Sequence, residues 1–299
     1  MRPCRSRYCW AQSERISRRL KAAVSTNGSE IVYSLFTESH PTGGGMMATL
    51  ALGTRASSEE RFFAGLALAM AAVFVAGFST QIIAGRSSFG APAVVHAHAI
   101  VFMGWVAIFV AQSTFVARGS MTLHRTLGWI AAGWTAVMVV MAFVISIRSV
   151  RTGAVPFFFT PQHFLILNPM TALSFAGLTW AAIYARKRTD WHRRLHVCGM
   201  AAIMGPGFGR LIPMPLLVPW SFQIACALGL AFPLAGMAYD LRRRGAVHPA
   251  WLAGVAVLVG VMLVGEGLAQ SRAASDYYRI VTAGSAGADV APLAYPPPP

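Results

Sequence analysis

Charge is what this sequence has least of. Of 299 residues, 12% are charged, 10 are acidic and 56% are apolar, whereas a soluble domain carries about 25% charged residues. Mean hydropathy is +0.55. A water-soluble globular chain is thereby excluded, because too few charges remain to clothe its surface. The four cysteines, Cys4, Cys9, Cys198 and Cys226, show no metal-ligand spacing and imply no disulfide framework. The covalent haem motif CxxCH is missing, and so are a Gly-rich phosphate loop, a nucleophile elbow and HExxH, so no named reaction can be read from a motif. Alternating strands of about ten residues are also missing, which excludes a transmembrane barrel. The net charge of +15 would point to nucleic acid in a soluble protein. Here the basic residues fall between apolar runs, which removes nucleic acid as a partner.

What is present is a series of apolar runs, near 62–84, 94–117, 126–147, 162–184, 195–213, 219–239 and 249–269. Each approaches the roughly 20 residues that a hydrocarbon layer of about 30 Å requires. Such runs must be helical, since lipid offers backbone groups no partners. The expected fold is all-α: a polytopic membrane protein of about seven transmembrane helices, with a central four-helix bundle from spans two to five. Residues 1–60 read as a basic unstructured leader, with AQSERISRRLKAAV as a surface helix within it or Met46 or Met47 as the true start. Residues 61–270 form the membrane domain, and 271–299 read as a disordered Pro-rich tail.

Loop charge sets an orientation. Loops two, four and six carry Arg118, Arg125, Arg186, Lys187, Arg188, Arg193, Arg194 and Arg242 to Arg244; loops one, three and five carry Arg86, Arg148 and Arg151. The positive-inside rule then predicts a bacterial inner-membrane protein with a cytoplasmic amino terminus and a periplasmic carboxyl terminus.

On that orientation the histidines fall into two layers. His96, His98 and His163 open spans two and four at the periplasmic level. His124, His192 and His196 open spans three and five at the cytoplasmic level, roughly 27 Å away along span two. Four helices carrying two stacked pairs are an arrangement suited to b-type haem, each iron held by imidazoles from facing helices. His98 and His163 are the expected outer ligands, and His124 with either His192 or His196 the inner ones. His96 and His98 lie about 200° apart on a helix, so one of them faces a given neighbour; the face of His98 continues through Phe102, Trp105, Phe109 and Gln112. Arg125, Arg193 and Arg194 suit haem propionates. Ionisable groups at membrane depth are functional candidates by default.

A faint duplication pairs spans two and three with four and five. Each half has a proline before a histidine (Pro92, Pro161), a Trp-x-Ala-Ile-aromatic run (Trp105 to Phe109, Trp180 to Tyr184) and a His-Arg entry (His124-Arg125, His192-Arg193). Asn168-Pro169 and the stretch Gly205 to Arg210 are expected helix breaks. Glu266 is the acid within an apolar run and reads as an interfacial carboxylate, while Gln112 and Gln223 read as interhelical hydrogen-bond partners.

FFAGLALAMAAVFVAGFST at 62–80, VHAHAIVFMGWVAIFVAQ at 95–112, LHRTLGW at 123–129, and WHRRLHV with MGPGFGR at 191–210 together resemble a large family of uncharacterised bacterial multi-spanning membrane proteins with HxH…W…Q, LHRxLGW and HxRL motifs. The likeness covers spans one to about six. The resemblance implies that His98, Trp105, Gln112, His124, Arg125, Gly128, His192, Arg193 and Leu195 match the family pattern. His196 departs from it, which favours His192 as the inner candidate. The placement of histidines is also similar in architecture to the di-haem b-type cytochromes. These features predict transmembrane electron transfer, with a redox protein or quinone as partner. Two alternatives stand beside it: a small-molecule carrier using the broken spans around Asn168, Pro206 and Arg210, or a lipid- or quinone-handling enzyme using the His-Arg pairs.

Overall fold

The computed structural model describes residues 56–86 and 90–296. The basic leader and Met46 and Met47 lie outside the described residues, as do the last three prolines. Every regular element among the described residues is helical.

Among the described residues, six helices are long and apolar enough to cross a membrane: α1 (Ser58–Ile83), α2 (Ala93–Ala117), α3 (Met121–Arg151), α4 (Pro161–Tyr184, extended by a 3-10 turn to Lys187), a bent pair α7 (Ser221–Gly229) and α8 (Ala231–Arg244), and α9 (Pro249–Ala269). Local chemistry sets their ends. Ser57 and Glu60 close a reciprocal capping box at the start of α1, satisfying two orphan amides. Pro161 occupies the first turn of α4, where its missing N–H is not needed. Gly245, at φ 70°, ends α8 in the left-handed conformation that glycine alone adopts without strain. Large apolar side chains face outward, including Ile100, Val140 and Leu263 at 68%, 62% and 70% exposure. In water such a surface would aggregate, whereas in a bilayer it is the solvent-facing side. The chain is a multi-pass membrane protein by this composition.

The fifth run, with its expected break at Gly205 to Arg210, is split into α5 (Thr189–Ala202) and α6 (Gly205–Leu211). Two causes act together. Asp190, Arg193 and Arg194 make the first turns of α5 polar, and Gly205-Pro206-Gly207 follows a break at Ile203 and Met204. Protein rather than lipid surrounds α5, whose residues Arg194, Leu195 and Val197 to Ala202 are buried. α6 lies so close to α1 that a Cβ on Gly77 would stand 2.5 Å from the Gly207 carbonyl oxygen, the small-residue contact typical of membrane helices.

Pro169, by contrast, sits inside an unbroken α4. The Asn168 side chain donates to Ser146 Oγ at 2.7 Å and the Asn168 carbonyl accepts from Thr171 Oγ1 at 2.8 Å, so the asparagine beside the proline is bonded within the bundle.

Two ends of the bundle can be named by their side chains. At one, Glu59 of α1 meets Arg193 and Arg194 of α5 and Arg244 of α8, and Trp191 packs on His248 ahead of α9. At the other, Gln81 of α1 donates to the Arg210 carbonyl of α6, and His163 of α4 meets Glu266 of α9. Taken together α5 and α6 therefore run from the Glu59 end to the Glu266 end.

The tail departs from the sequence reading. Residues 271–299 were expected to be disordered, yet Arg272–Thr282 forms an amphipathic helix, α10, followed by a 3-10 turn at Ala286–Asp289. Its apolar side carries Tyr278, 2% exposed, whose hydroxyl donates to the Gly287 carbonyl at 3.0 Å. Buried Gln162 ties the tail down, donating from its side chain to the Ala269 carbonyl at 2.7 Å and from its backbone to the Pro292 carbonyl at 2.9 Å. The prolines obscured a helical period only eleven residues long.

Candidate functional site

The Glu59 end is built around one buried charge. Arg194, fully buried, forks onto Asp240 with Nε to Oδ2 at 2.8 Å and Nη2 to Oδ1 at 2.6 Å. Its Nη1 donates to the Asp190 carbonyl at 3.0 Å and its Nη2 to Glu59 at 3.2 Å. Asp240 Oδ2 also accepts from the indole of Trp251 at 2.9 Å. Bidentate geometry and full satisfaction are what allow a guanidinium and a carboxylate to sit inside a membrane protein. Arg193 bonds Asp190 at 2.5 Å and Glu59 at 3.2 Å, and Arg244 bonds Glu59 at 2.9 Å. Arg193 and Arg194, expected to suit propionates, are thus committed to carboxylates of the chain.

Glu59, Asp240 and Trp251 were not anticipated as site residues. Asp240 lies one residue beyond the run read as 219–239, so it passed as a loop residue, although α8 continues to Arg244 and buries it to 1% exposure. The useful signal was an acid at the edge of an apolar run, for which a buried arginine is the expected partner.

Beside this network the histidines expected at the cytoplasmic level come together. The rings of His124 on α3 and His192 on α5 are 6.1 Å apart and crossed at 87°; those of His192 and His196 are 4.6 Å apart. His192 Nδ1–H donates to the Ala182 carbonyl at 2.8 Å, which fixes its tautomer and leaves Nε2 with a lone pair. His124 Nδ1 and Gln112 Oε1 are buried without a hydrogen-bond partner. Arg125 is exposed next to His124.

The Glu266 end is different. His163 spends both ring nitrogens, Nδ1 on Thr160 Oγ1 at 2.5 Å and Nε2 on Glu266 Oε1 at 2.9 Å. His98 packs its ring 4.4 Å from Phe102 and lies in the field of Arg210; among the described residues no ring contact joins it to His163. His96 is half-buried on α2, about 200° around the helix from His98. Glu266 further accepts from Gln270 at 2.6 Å and from Gln223 at 2.8 Å. These groups open into a cavity of about 220 Å³ walled by Phe158, Phe159, Trp220, Phe222 and Tyr295.

Two further expectations can be placed. Arg210 donates to the Pro206 carbonyl at 2.8 Å and lies 4.1 Å over the Phe78 ring of α1, so its guanidinium is engaged within the protein. The paired tryptophans of the duplication are inequivalent, Trp105 being 3% and Trp180 49% exposed. Among the described residues no group of three or more His, Cys, Asp or Glu is arranged to hold a metal ion. No family model matches the chain, and no curated protein or solved structure matches it either; what the site does is therefore read from its geometry.

Proposed function

We propose that this chain is a seven-pass membrane protein, with α5 and α6 together making the fifth pass and the Glu59 end facing the cytoplasm, and that it carries electrons through one b-type haem in the cytoplasmic leaflet. The orientation is supported by the arginines at the Glu59 end, Arg193, Arg194 and Arg244, in line with the positive-inside rule. The observation that carries the haem is the approach of His124 and His192, 6.1 Å between ring centres. At that approach the imidazoles of His124 and His192, on facing helices, would be the residues to hold one haem iron between them. The bond from His192 Nδ1 to the Ala182 carbonyl is the outer-sphere support that orients such a ligand and raises its basicity. The partnerless His124 Nδ1 is a second sign that this spot is built to receive something.

When bound, the haem would supply one-electron chemistry. The protein supplies two neutral imidazoles from facing helices, a buried setting for them, and the Arg194–Asp240 clamp that fixes the start of α5. With both His163 nitrogens engaged, the reading is one haem rather than two. It is therefore a carrier at one membrane surface, exchanging electrons with a soluble redox protein or a quinone.

The test is the visible spectrum of the detergent-purified protein, oxidised and dithionite-reduced, with a pyridine haemochrome assay. The expected result is a reduced b-type α-band with about one haem per chain, lost in His124→Ala and His192→Ala and kept in His98→Ala and His163→Ala. Colourless protein from haem-replete cells that takes up no added haem would overturn the proposal.

A further inference from the structure

We infer that the cavity at the Glu266 end binds a small organic cation. Three observations converge on that class, and none depends on haem at the other end. The first is the imbalance of charge. Glu59, Asp190 and Asp240 each meet an arginine, but Glu266 is held by the imidazole of His163 and the amides of Gln223 and Gln270. It meets no arginine or lysine among the described residues, and His163 is its one titratable hydrogen-bond partner.

The second is a spare acceptor. Gln223 turns its Nε2 to Glu266, which leaves its Oε1 buried without a donor in the lining of the same cavity. A buried amide oxygen in that state is expensive unless something donates to it. An ammonium N–H does so while neutralising the carboxylate. The third is the wall. Phe158, Trp220, Phe222 and Tyr295 line about 220 Å³, and aromatic rings attract a cation. Tyr295 arrives from the tail, its hydroxyl 3.5 Å from the Pro219 carbonyl, so the strap held down by Gln162 and Tyr278 completes the site. A carboxylate and aromatic rings lining one cavity select an aryl- or alkylammonium over a neutral or anionic molecule of the same size.

The full chain in non-ionic detergent is titrated calorimetrically with phenethylammonium and, separately, with its neutral counterpart 2-phenylethanol. The ammonium is expected to bind about tenfold more tightly than the alcohol. Glu266→Gln should bring the two probes to within about twofold. Trp220→Leu should weaken the ammonium about threefold or more, and because Trp220 is 60% exposed that change leaves the fold alone. Equal binding of ammonium and alcohol by the unmutated chain overturns the inference, as does an undiminished preference in a folded Glu266→Gln. Should Glu266→Gln fail to fold, the two-probe ratio on the unmutated chain and Trp220→Leu decide the matter on their own.

Discussion

Removing the Asp240 carboxylate is expected to be among the most damaging single changes outside the aromatic core. Asp240→Ala leaves the fully buried Arg194 guanidinium without its bidentate partner, and stranding one member of a buried pair costs about 3–5 kcal/mol. The Trp251 indole, which donates to the same carboxylate, loses its acceptor at about 1–3 kcal/mol more. Part of this is offset, since Arg194 keeps Glu59 and the Asp190 carbonyl. A net loss of about 4 kcal/mol follows, a large share of the ~5–15 kcal/mol by which folded domains are stable. The double variant Arg194→Met/Asp240→Leu removes both charges, while Glu59 retains Arg193 and Arg244. Replacing a whole buried pair by apolar residues is close to neutral, so the double variant should cost only about 1–2 kcal/mol, mostly the unpaired indole. Reversible unfolding by titrating SDS into non-ionic micelles, followed by tryptophan fluorescence, measures both. A single variant costing under about 1 kcal/mol, or a double variant no milder than the single, would refute a desolvated pair at this position.

The close approach of α1 and α6 predicts that Gly77→Leu forces the Gly207 backbone away and costs about 2–3 kcal/mol, whereas Gly65→Ala, with nothing within 4 Å of its new Cβ, stays within about 0.5 kcal/mol; the same unfolding assay compares them. Tyr278→Phe deletes the hydroxyl bond to the Gly287 carbonyl at a cost of about 1 kcal/mol, and should speed amide exchange and proteolysis between residues 284 and 296 while α1 to α9 keep their protection. His248 caps α9 by accepting from the Ala250 N–H at 3.1 Å, and burial, with help from Arg194, holds its pKa below the usual imidazole value of 6.5. Its folded pKa being the lower one, this contribution is present above about pH 6.5 and is lost as pH falls toward the folded value. The capping bond is worth about 1 kcal/mol; His248→Asn keeps a cap that does not titrate, so its stability should stay flatter between pH 6.5 and 5 than that of the unmutated chain.

Much of the architecture was legible because lipid leaves few choices. A run such as 94–117 must be a helix in hydrocarbon, and α2 occupies 93–117; the run at 249–269 coincides with α9. The structure sets His124 beside His192 at one end and His163 beside Glu266 at the other, while among the described residues no ring contact joins His98 to His163. The break at Gly205 to Arg210 was legible from its glycines and proline, and what surrounds α5 is the interior of the protein, so arginines are tolerated there. The break expected at Asn168-Pro169 does not occur, because α4 continues through Pro169.

By itself, then, the amino-acid sequence determined the helical class and the runs able to cross a membrane, because lipid leaves an apolar run no other way to satisfy its backbone. Tertiary structure alone decided the partners. Periodicity does not reveal that Arg194 meets Asp240 across 46 positions, that Gln162 holds Ala269 across 107, or that Glu266 takes His163 across 103. Those choices depend on which faces of distant helices are turned to one another, and that is set by side-chain packing between helices, which leaves no period in the chain.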